Sequence, residues 1–258
     1  YLIDHLGRTE SEVDSLDQAT DKILEQLADP KETGDNLPPV KGLVIGYVQS
    51  GKTANYTALS AKAFDAGYKV VIVLSGIHRS LRRQTQIRMN DELGIANNFG
   101  NRITSRNFGP DTIEPITSMT SEDLEFGDSQ YAGVSRSVIQ GKVLFVVKKN
   151  TAVLERLIKW LGEQHKVEVP TLIIDDESDQ ASINTGGNRG EIPESPDLSN
   201  PDEPEESPAV INSKVRRLVN LFANVSYVGY TATPYANVFI DHQATDRDAG
   251  EDLYPKDF

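Results

Sequence analysis

Two glycines, a lysine and a threonine stand at the spacing a phosphate ligand needs in Gly46-Tyr47-Val48-Gln49-Ser50-Gly51-Lys52-Thr53. The stretch fits G-x-x-x-x-G-K-[ST], the phosphate-binding P-loop pattern. Glycines let backbone N–H groups close around a phosphate, and a helix that follows adds partial positive charge at its N-terminus. Gly46, Gln49, Ser50, Gly51, Lys52 and Thr53 are the candidate nucleotide contacts. Lys52 is expected to reach the β- and γ-phosphates, and Thr53 to place its hydroxyl on Mg²⁺. The bland alternative is a glycine turn ahead of a helix.

A second chemical stretch is Leu172-Ile173-Ile174-Asp175-Asp176-Glu177-Ser178-Asp179, four apolar residues and then acids. Nucleotide hydrolysis needs a carboxylate to complete the coordination of Mg²⁺ and another to polarise the attacking water. Asp176 is expected to serve the metal and Glu177 the water. Asp175 takes the metal role if the register slips by one. Lys52, Asp176 and Glu177 are thus the candidate catalytic set, with Thr53 and Asp176 as candidate metal ligands. Acids after a strand also occur as solvated turns or helix caps.

Elements that could position these residues are legible around them. Gly42 to Ile45 reads as a short buried strand. Tyr56, Leu59 and Ala63 recur at helical spacing, and Gly67 supplies a stop. Further strands are expected at 69–74, 142–147, 170–175 and 225–230. Helices are expected at about Arg79 to Leu93, around Leu154, Leu157, Ile158 and Leu161, and around Val215, Leu218, Val219 and Phe222. Strands alternating with helices predict an α/β fold, a mostly parallel sheet with helices on both faces. In such a sheet, ligands bind at the C-terminal ends of the strands. That edge collects Gly46 to Thr53, Ser75-Gly76, Lys148 to Thr151, Asp175 to Asp179 and Thr231 to Pro234.

Residues 1–36 read as an N-terminal helical extension, with a helix over about 9–28 capped by Thr9 or Ser11. Residues 37–242 form the expected lobe, carrying a weakly patterned insertion at about 94–140 and a mobile acidic loop at about 184–208. Residues 243–258 are expected to start a linker toward a second lobe that the chain lacks.

The 258 residues carry a net charge of -13, which by itself argues against nucleic-acid binding. Its distribution softens that argument, because residues 191–207 hold seven acids and no base, and binding depends on local fields. Cysteine is absent, which excludes disulfides and Cys-based zinc sites. No apolar run long enough to span a bilayer and no secretory leader are visible, so a cytoplasmic protein without a membrane partner is the default expectation.

Three motifs in order resemble superfamily-two helicases. Gly46 to Thr53 resembles motif I, Asp176-Glu177-Ser178-Asp179 resembles the DEAD-box motif II, and Thr231-Ala232-Thr233-Pro234 is similar to motif III. Between the first two, Leu81-Arg82-Arg83-Gln84-Thr85 resembles motif Ia. The wording of these segments, and of Leu74 to Thr85 and Gly229 to Val238 around them, is similar to the DEAD–Z-one motors of NTP-dependent bacterial restriction systems. The helicase-like subunit of CglI-type restriction endonucleases is of that kind. The resemblance implies a RecA-like P-loop NTPase lobe that uses ATP and Mg²⁺ and moves on double-stranded DNA beside a separate nuclease subunit.

It also implies DNA-backbone contacts at Arg82, Arg83, Gln84, Lys148, Lys149 and Thr151, and a coupling role for Thr231, Ala232 and Thr233. The same basic residues could instead form a solvated face paired with acids, and the threonines a capped turn. Superfamily-two motors complete their site with a second lobe and its arginine, so weak activity is expected without those C-terminal domains. Another reading is a P-loop switch or regulatory binding module that never translocates. A third is an assembly subunit with a degenerate site, against which intact Lys52, Thr53 and Glu177 speak.

Overall fold

The computed structural model describes residues 7–34, 37–46, 51–95, 114–127, 139–162, 166–180, 208–234, 245–246, 250–251 and 253–258. The chain opens with α1 (Glu10–Leu24), where Thr9 accepts from the Glu12 backbone N–H and the Glu12 side chain accepts from that of Thr9. This reciprocal cap satisfies two orphan donors of the first turn. Then follow β1 (Val40–Ile45), α2 (Lys52–Ala66), β2 (Val70–Ser75), α3 (Arg79–Glu92), β3 (Ile116–Ser118), β4 (Lys142–Lys148) and α4 (Thr151–Leu161). After these come β5 (Thr171–Asp176), α5 (Pro208–Asn220), β6 (Val225–Thr231), and the short strands β7 (Thr245–Asp246) and β8 (Gly250–Glu251).

Six strands form one sheet in the order β1-β6-β5-β2-β4-β3, and every pairing in it is parallel. The central strands are apolar on both faces, which a sheet covered on both sides requires. The pleat sends alternate residues to opposite sides. Val71 and Val73 of β2, Leu172 and Ile174 of β5, and Val228 and Tyr230 of β6 pack with Tyr56, Leu59 and Phe64 of α2 and Met89 of α3. Val70, Ile72, Leu74, Ile173 and Tyr227 pack with α4 and α5 through Leu154, Leu157, Ile158, Val215 and Leu218. The expected α/β class, a parallel sheet with helices on both faces, is what the structure shows.

The main elements fall close to where periodicity puts them. Strand boundaries shift by a residue or two at β1, β2, β4, β5 and β6. β5 runs one residue further than expected, through Asp176. β3, inside the stretch left unassigned, is three residues long, too short for a pattern to betray it. The acidic segment expected to be mobile lies outside the described residues, except that Pro208 is the first residue of α5, where its fixed φ suits a helix start.

The segment anticipated as a linker lies against the sheet at its end. Leu43 N–H donates to the Phe258 carbonyl (2.9 Å) and Asp257 N–H to that of Lys41 (3.0 Å), along the free edge of β1. Gly42 makes room for this, since a Cβ there would stand 2.1 Å from the Phe258 ring. Covering an edge strand removes a row of unpaired backbone groups.

Candidate functional site

At the C-terminal edge of the sheet, α2 begins directly after Gly51, which adopts a left-handed backbone (φ 78°) that glycine accepts without strain. Lys52 and Thr53 are therefore the first residues of the helix, where backbone N–H groups lack intrahelical partners and favour an anion. Gly46 N–H donates to the Thr231 carbonyl (2.9 Å), tying the end of β1 to the end of β6. Gln49 and Ser50 lie outside the described residues. A cleft of ≈ 800 Å³ opens here, lined among others by Gly51, Lys52, Thr53, Asp176, Glu177 and Thr233. Its far wall is α3, through Gln84, Thr85 and Arg88.

The pleat of β5 decides between the two aspartates. Asp176 shares the parity of Leu172 and Ile174, which face α2, and it lines the cleft. Asp175 shares that of Ile173, which faces α4 and α5, and is fully buried. There its carboxylate pairs with the Lys149 ammonium at 3.0 Å and accepts from the Tyr227 hydroxyl at 2.6 Å. Asp176 accepts from the Tyr56 hydroxyl at 3.2 Å. Burial pushes the Asp176 carboxyl above the usual aspartate range, the Glu177 charge adds to this, and the Tyr56 bond, Lys149 and Lys52 pull it back. Burial also raises the Tyr56 phenol, and the Asp176 charge raises it further, so Tyr56 keeps its proton and donates it. Tyr230 meets Tyr56 edge to face at 5.5 Å and donates to Asn55 Oδ1 at 2.8 Å.

After Asp176 the backbone turns sharply. Glu177 has φ 54°, the one non-glycine residue with positive φ among those described. Such a conformation costs on the order of 1 kcal/mol and persists only where surrounding contacts enforce it. Ser178 N–H donates to the Tyr230 carbonyl (3.0 Å), and a Cβ at Gly229 would come within 2.8 Å of Ser178 Oγ. Glycine at 229 is thus what lets the turn settle on β6. The next residue, Asp179, accepts from the Thr231 and Thr233 hydroxyls, both at 2.6 Å, one on each carboxylate oxygen. Thr233 N–H donates in turn to Thr231 Oγ1 at 2.9 Å. Ala232 lines the cleft between them.

The residues expected to touch DNA divide. Arg82 is fully buried, pairs with Glu125 at 2.7 Å and donates to the carbonyls of Ser121 (2.7 Å) and Glu122 (2.6 Å). Lys149 is equally buried and donates to the carbonyls of Asp176, Glu177 and Gln180. Both expectations are corrected: helical and turn geometry points these two cations into the protein, where a surface ligand cannot meet them. Arg83 and Gln84 are exposed, with Arg83 3.6 Å from Glu122 and 3.5 Å from Asp123. Lys148 and Thr151 are half-buried, at the end of β4 and the start of α4.

Sequence reasoning missed Tyr56, read there as an apolar stripe position, and Asp179, read as the tail of a motif. A polar-tipped aromatic three residues after Thr53 was the available signal for the first. Nothing local signalled Lys149, whose partners come from the end of β5 and the turn after it, 26 to 31 residues further along the chain.

Oxygen donors from a hydroxyl and a carboxylate suit a hard cation that keeps much of its water, as Mg²⁺ does. Thr53 and Asp176 on one cleft fit that description, and among the described residues no cluster of three or more His, Cys, Asp or Glu offers another metal cage. No helix among the described residues is long and apolar enough to cross a membrane.

What the fold defines is an α/β protein whose lysine-bearing helix start and acidic strand end share one cleft. The sequence matches no family model and no curated protein. Among solved structures, a nuclease-deletion mutant of the Type ISP restriction-modification enzyme LlaGI with a DNA substrate mimic is 17% identical, with a TM-score of 0.46 over 93% of this chain and 19% of that one. The Sulfolobus solfataricus SWI2/SNF2 ATPase core with dsDNA is 11% identical, with a TM-score of 0.42 over 87% of this chain and 32% of that one. T4 UvsW is 11% identical, with a TM-score of 0.38 over 84% and 34%. The chain thus spans about a fifth to a third of the length of these proteins.

Proposed function

We propose that this chain is the nucleotide-binding lobe, RecA-like in kind, of an ATP-dependent motor that acts on double-stranded DNA within a restriction system. The observation that carries the reading is Asp179, whose carboxylate holds both Thr231 and Thr233. A simple nucleotide switch needs Lys52, Thr53 and an acid. It has no need for a second strand end latched onto the turn that carries the water-polarising glutamate. In a motor, that latch lets a change at Glu177 on hydrolysis be felt at Thr231 to Thr233.

Lys52 would hold the β- and γ-phosphates, with Gly46, Gln49, Ser50 and Gly51 cradling them. Thr53 and Asp176 would hold Mg²⁺, which supplies charge neutralisation on the transferred phosphoryl group. Glu177 would orient and polarise the attacking water. Arg83, Gln84, Lys148 and Thr151 remain the proposed DNA-backbone contacts. Residues 37–242 would constitute the lobe and 1–36 a helical extension. A second lobe with its arginine, and a separate nuclease subunit of the DEAD–Z-one arrangement, would be the partners, in the cytoplasm.

The test is the ATPase rate of the intact protein with and without duplex DNA. The reading expects stimulation by DNA that weakens as salt rises, and loss of turnover in Lys52→Ala with DNA binding retained. Turnover that ignores duplex DNA favours the regulatory P-loop module instead, and turnover retained in Lys52→Ala removes the site.

A further inference from the structure

The residue that sets the backbone of the acidic turn comes from another strand end. Lys149 follows β4, and its own N–H donates to the carbonyls of Ser75 (3.3 Å) and Gly76 (3.1 Å) at the end of β2. From there its side chain crosses to β5. The ammonium donates to the carbonyls of Asp176 (2.9 Å), Glu177 (2.7 Å) and Gln180 (2.9 Å), and pairs with Asp175 (3.0 Å). Three carbonyls converging on one cation form a closed ring of backbone, and Glu177, in its strained left-handed conformation, lies inside that ring. The Glu177 carboxylate meanwhile sits above Gly76, where an added Cβ would stand 3.4 Å from Oε2.

We propose that Lys149 is a positioning residue: its buried ammonium holds the 176–180 turn in the one backbone arrangement that aims the Glu177 carboxylate into the cleft. Carbonyls that turn inward to meet a cation leave the side chain between them facing outward. A lysine suits the place because an ammonium offers three donors from a single point, and the fork of an arginine would not reach three converging carbonyls. Asp175 offsets the buried charge, and Tyr227 steadies Asp175. The inference rests on the hydrolytic reading of Glu177 given above.

The experiment uses the intact protein and four variants, two of them in a Glu177→Gln background. Lys149→Met removes the donors but leaves Asp175 buried without its cation, so it is paired with Lys149→Met/Asp175→Asn, which removes both charges. Each is measured for melting temperature, for Mg·ATP dissociation constant and for kcat. The expected result is that the double variant recovers melting temperature relative to Lys149→Met while kcat stays down by about 100-fold, the scale of an ångström-level misplacement. Nucleotide affinity should change far less than kcat. In a Glu177→Gln background, adding Lys149→Met should cost no further rate, because both act through one group.

Rate recovering together with stability in the double variant would overturn the proposal, as would additive losses in the Glu177→Gln background. A readout independent of turnover is hydrogen exchange at the bonded amides of Ser178 and Gln180, which should quicken in the double variant while β2 and β6 stay protected. Unchanged exchange there would equally overturn it. If the wild-type protein hydrolyses no nucleotide, the proposed function fails, and the exchange measurement still decides the role of Lys149.

Discussion

Asp175 and Asp176 are chain neighbours that live on opposite faces of one sheet. On the α4–α5 face, Asp175 is sealed between Lys149 and Tyr227, with no exposure on the aspartate or the lysine. On the α2–α3 face, Asp176 looks into the cleft beside Glu177, and its carboxylate accepts from the Tyr56 hydroxyl (3.2 Å) and the Glu177 backbone N–H (3.1 Å), with no cation within ion-pair distance among the described residues. One face has its charges matched within the fold. The other keeps a costly carboxylate facing a cavity, and burial pushes its pKa up. A fold tolerates such a cost where a ligand is to supply the missing partner. The same contrast runs through the cations: Lys149 and Arg82 are consumed by backbone carbonyls and acids, while Lys52 faces the cleft.

The contrast can be broken most forcefully from the sealed face. Asp175→Ala leaves the Lys149 ammonium buried without its counter-ion, and should cost about 3–5 kcal/mol in urea unfolding of this chain. A loss below about 1 kcal/mol would mean that Asp175 is not a structural partner. Arg82→Ala comes next, at about 3 kcal/mol, because Glu125 and the carbonyls of Ser121 and Glu122 lose a shared donor. Its exposed neighbour Arg83→Ala should stay within about 0.5 kcal/mol of the parent, and equal effects from the two would erase the distinction. Tyr227→Phe removes one donor from a buried carboxylate, for a loss of roughly 1.5–3 kcal/mol in the same unfolding assay.

The smallest effect sharpens the open face. Burial raises the Asp176 pKa in the folded chain above its unfolded value. The folded state therefore holds that proton more readily. Asp176 contributes most to stability in acid, and the contribution is lost as pH rises through the folded-state pKa. Asp176→Asn should abolish that loss, so the variant melts at or slightly above the parent near neutral pH and shows a flatter stability profile as pH rises out of the ordinary aspartate range. A variant that melts well below the parent at neutral pH would place Asp176 with the sealed face.

Much of this could be read from letters. The sheet was legible because β2, β4, β5 and β6 are β-branched runs whose ends coincide with glycine, asparagine or acids, so periodicity and punctuation agree. The chemistry of the cleft was legible in type, since a lysine after a glycine and acids after an apolar run are local patterns. The choice between Asp175 and Asp176 was not, because it depends on the parity of β5, and one residue of uncertainty at a strand end swaps the faces. The buried fates of Arg82 and Lys149 were illegible for a different reason. Their partners are at Ser121 to Glu125 and at Asp175 to Gln180, and no local pattern records a contact made across the fold. Tyr56 was hidden by its own chemistry: its ring packs as the helical period demands, and only its hydroxyl serves Asp176.

The Mg·nucleotide site proposed for Lys52, Thr53 and Asp176 on the open face is the point on which everything above turns. Isothermal titration of ATP into this chain, with and without Mg²⁺, and into Lys52→Ala and Asp176→Asn tests it most directly. The account predicts saturable binding to the parent that Lys52→Ala abolishes, a Mg²⁺-dependent part that Asp176→Asn alone removes, and melting curves showing both variants folded. Mg²⁺-dependent binding that survives in folded Asp176→Asn, or binding undiminished in Lys52→Ala, would contradict it.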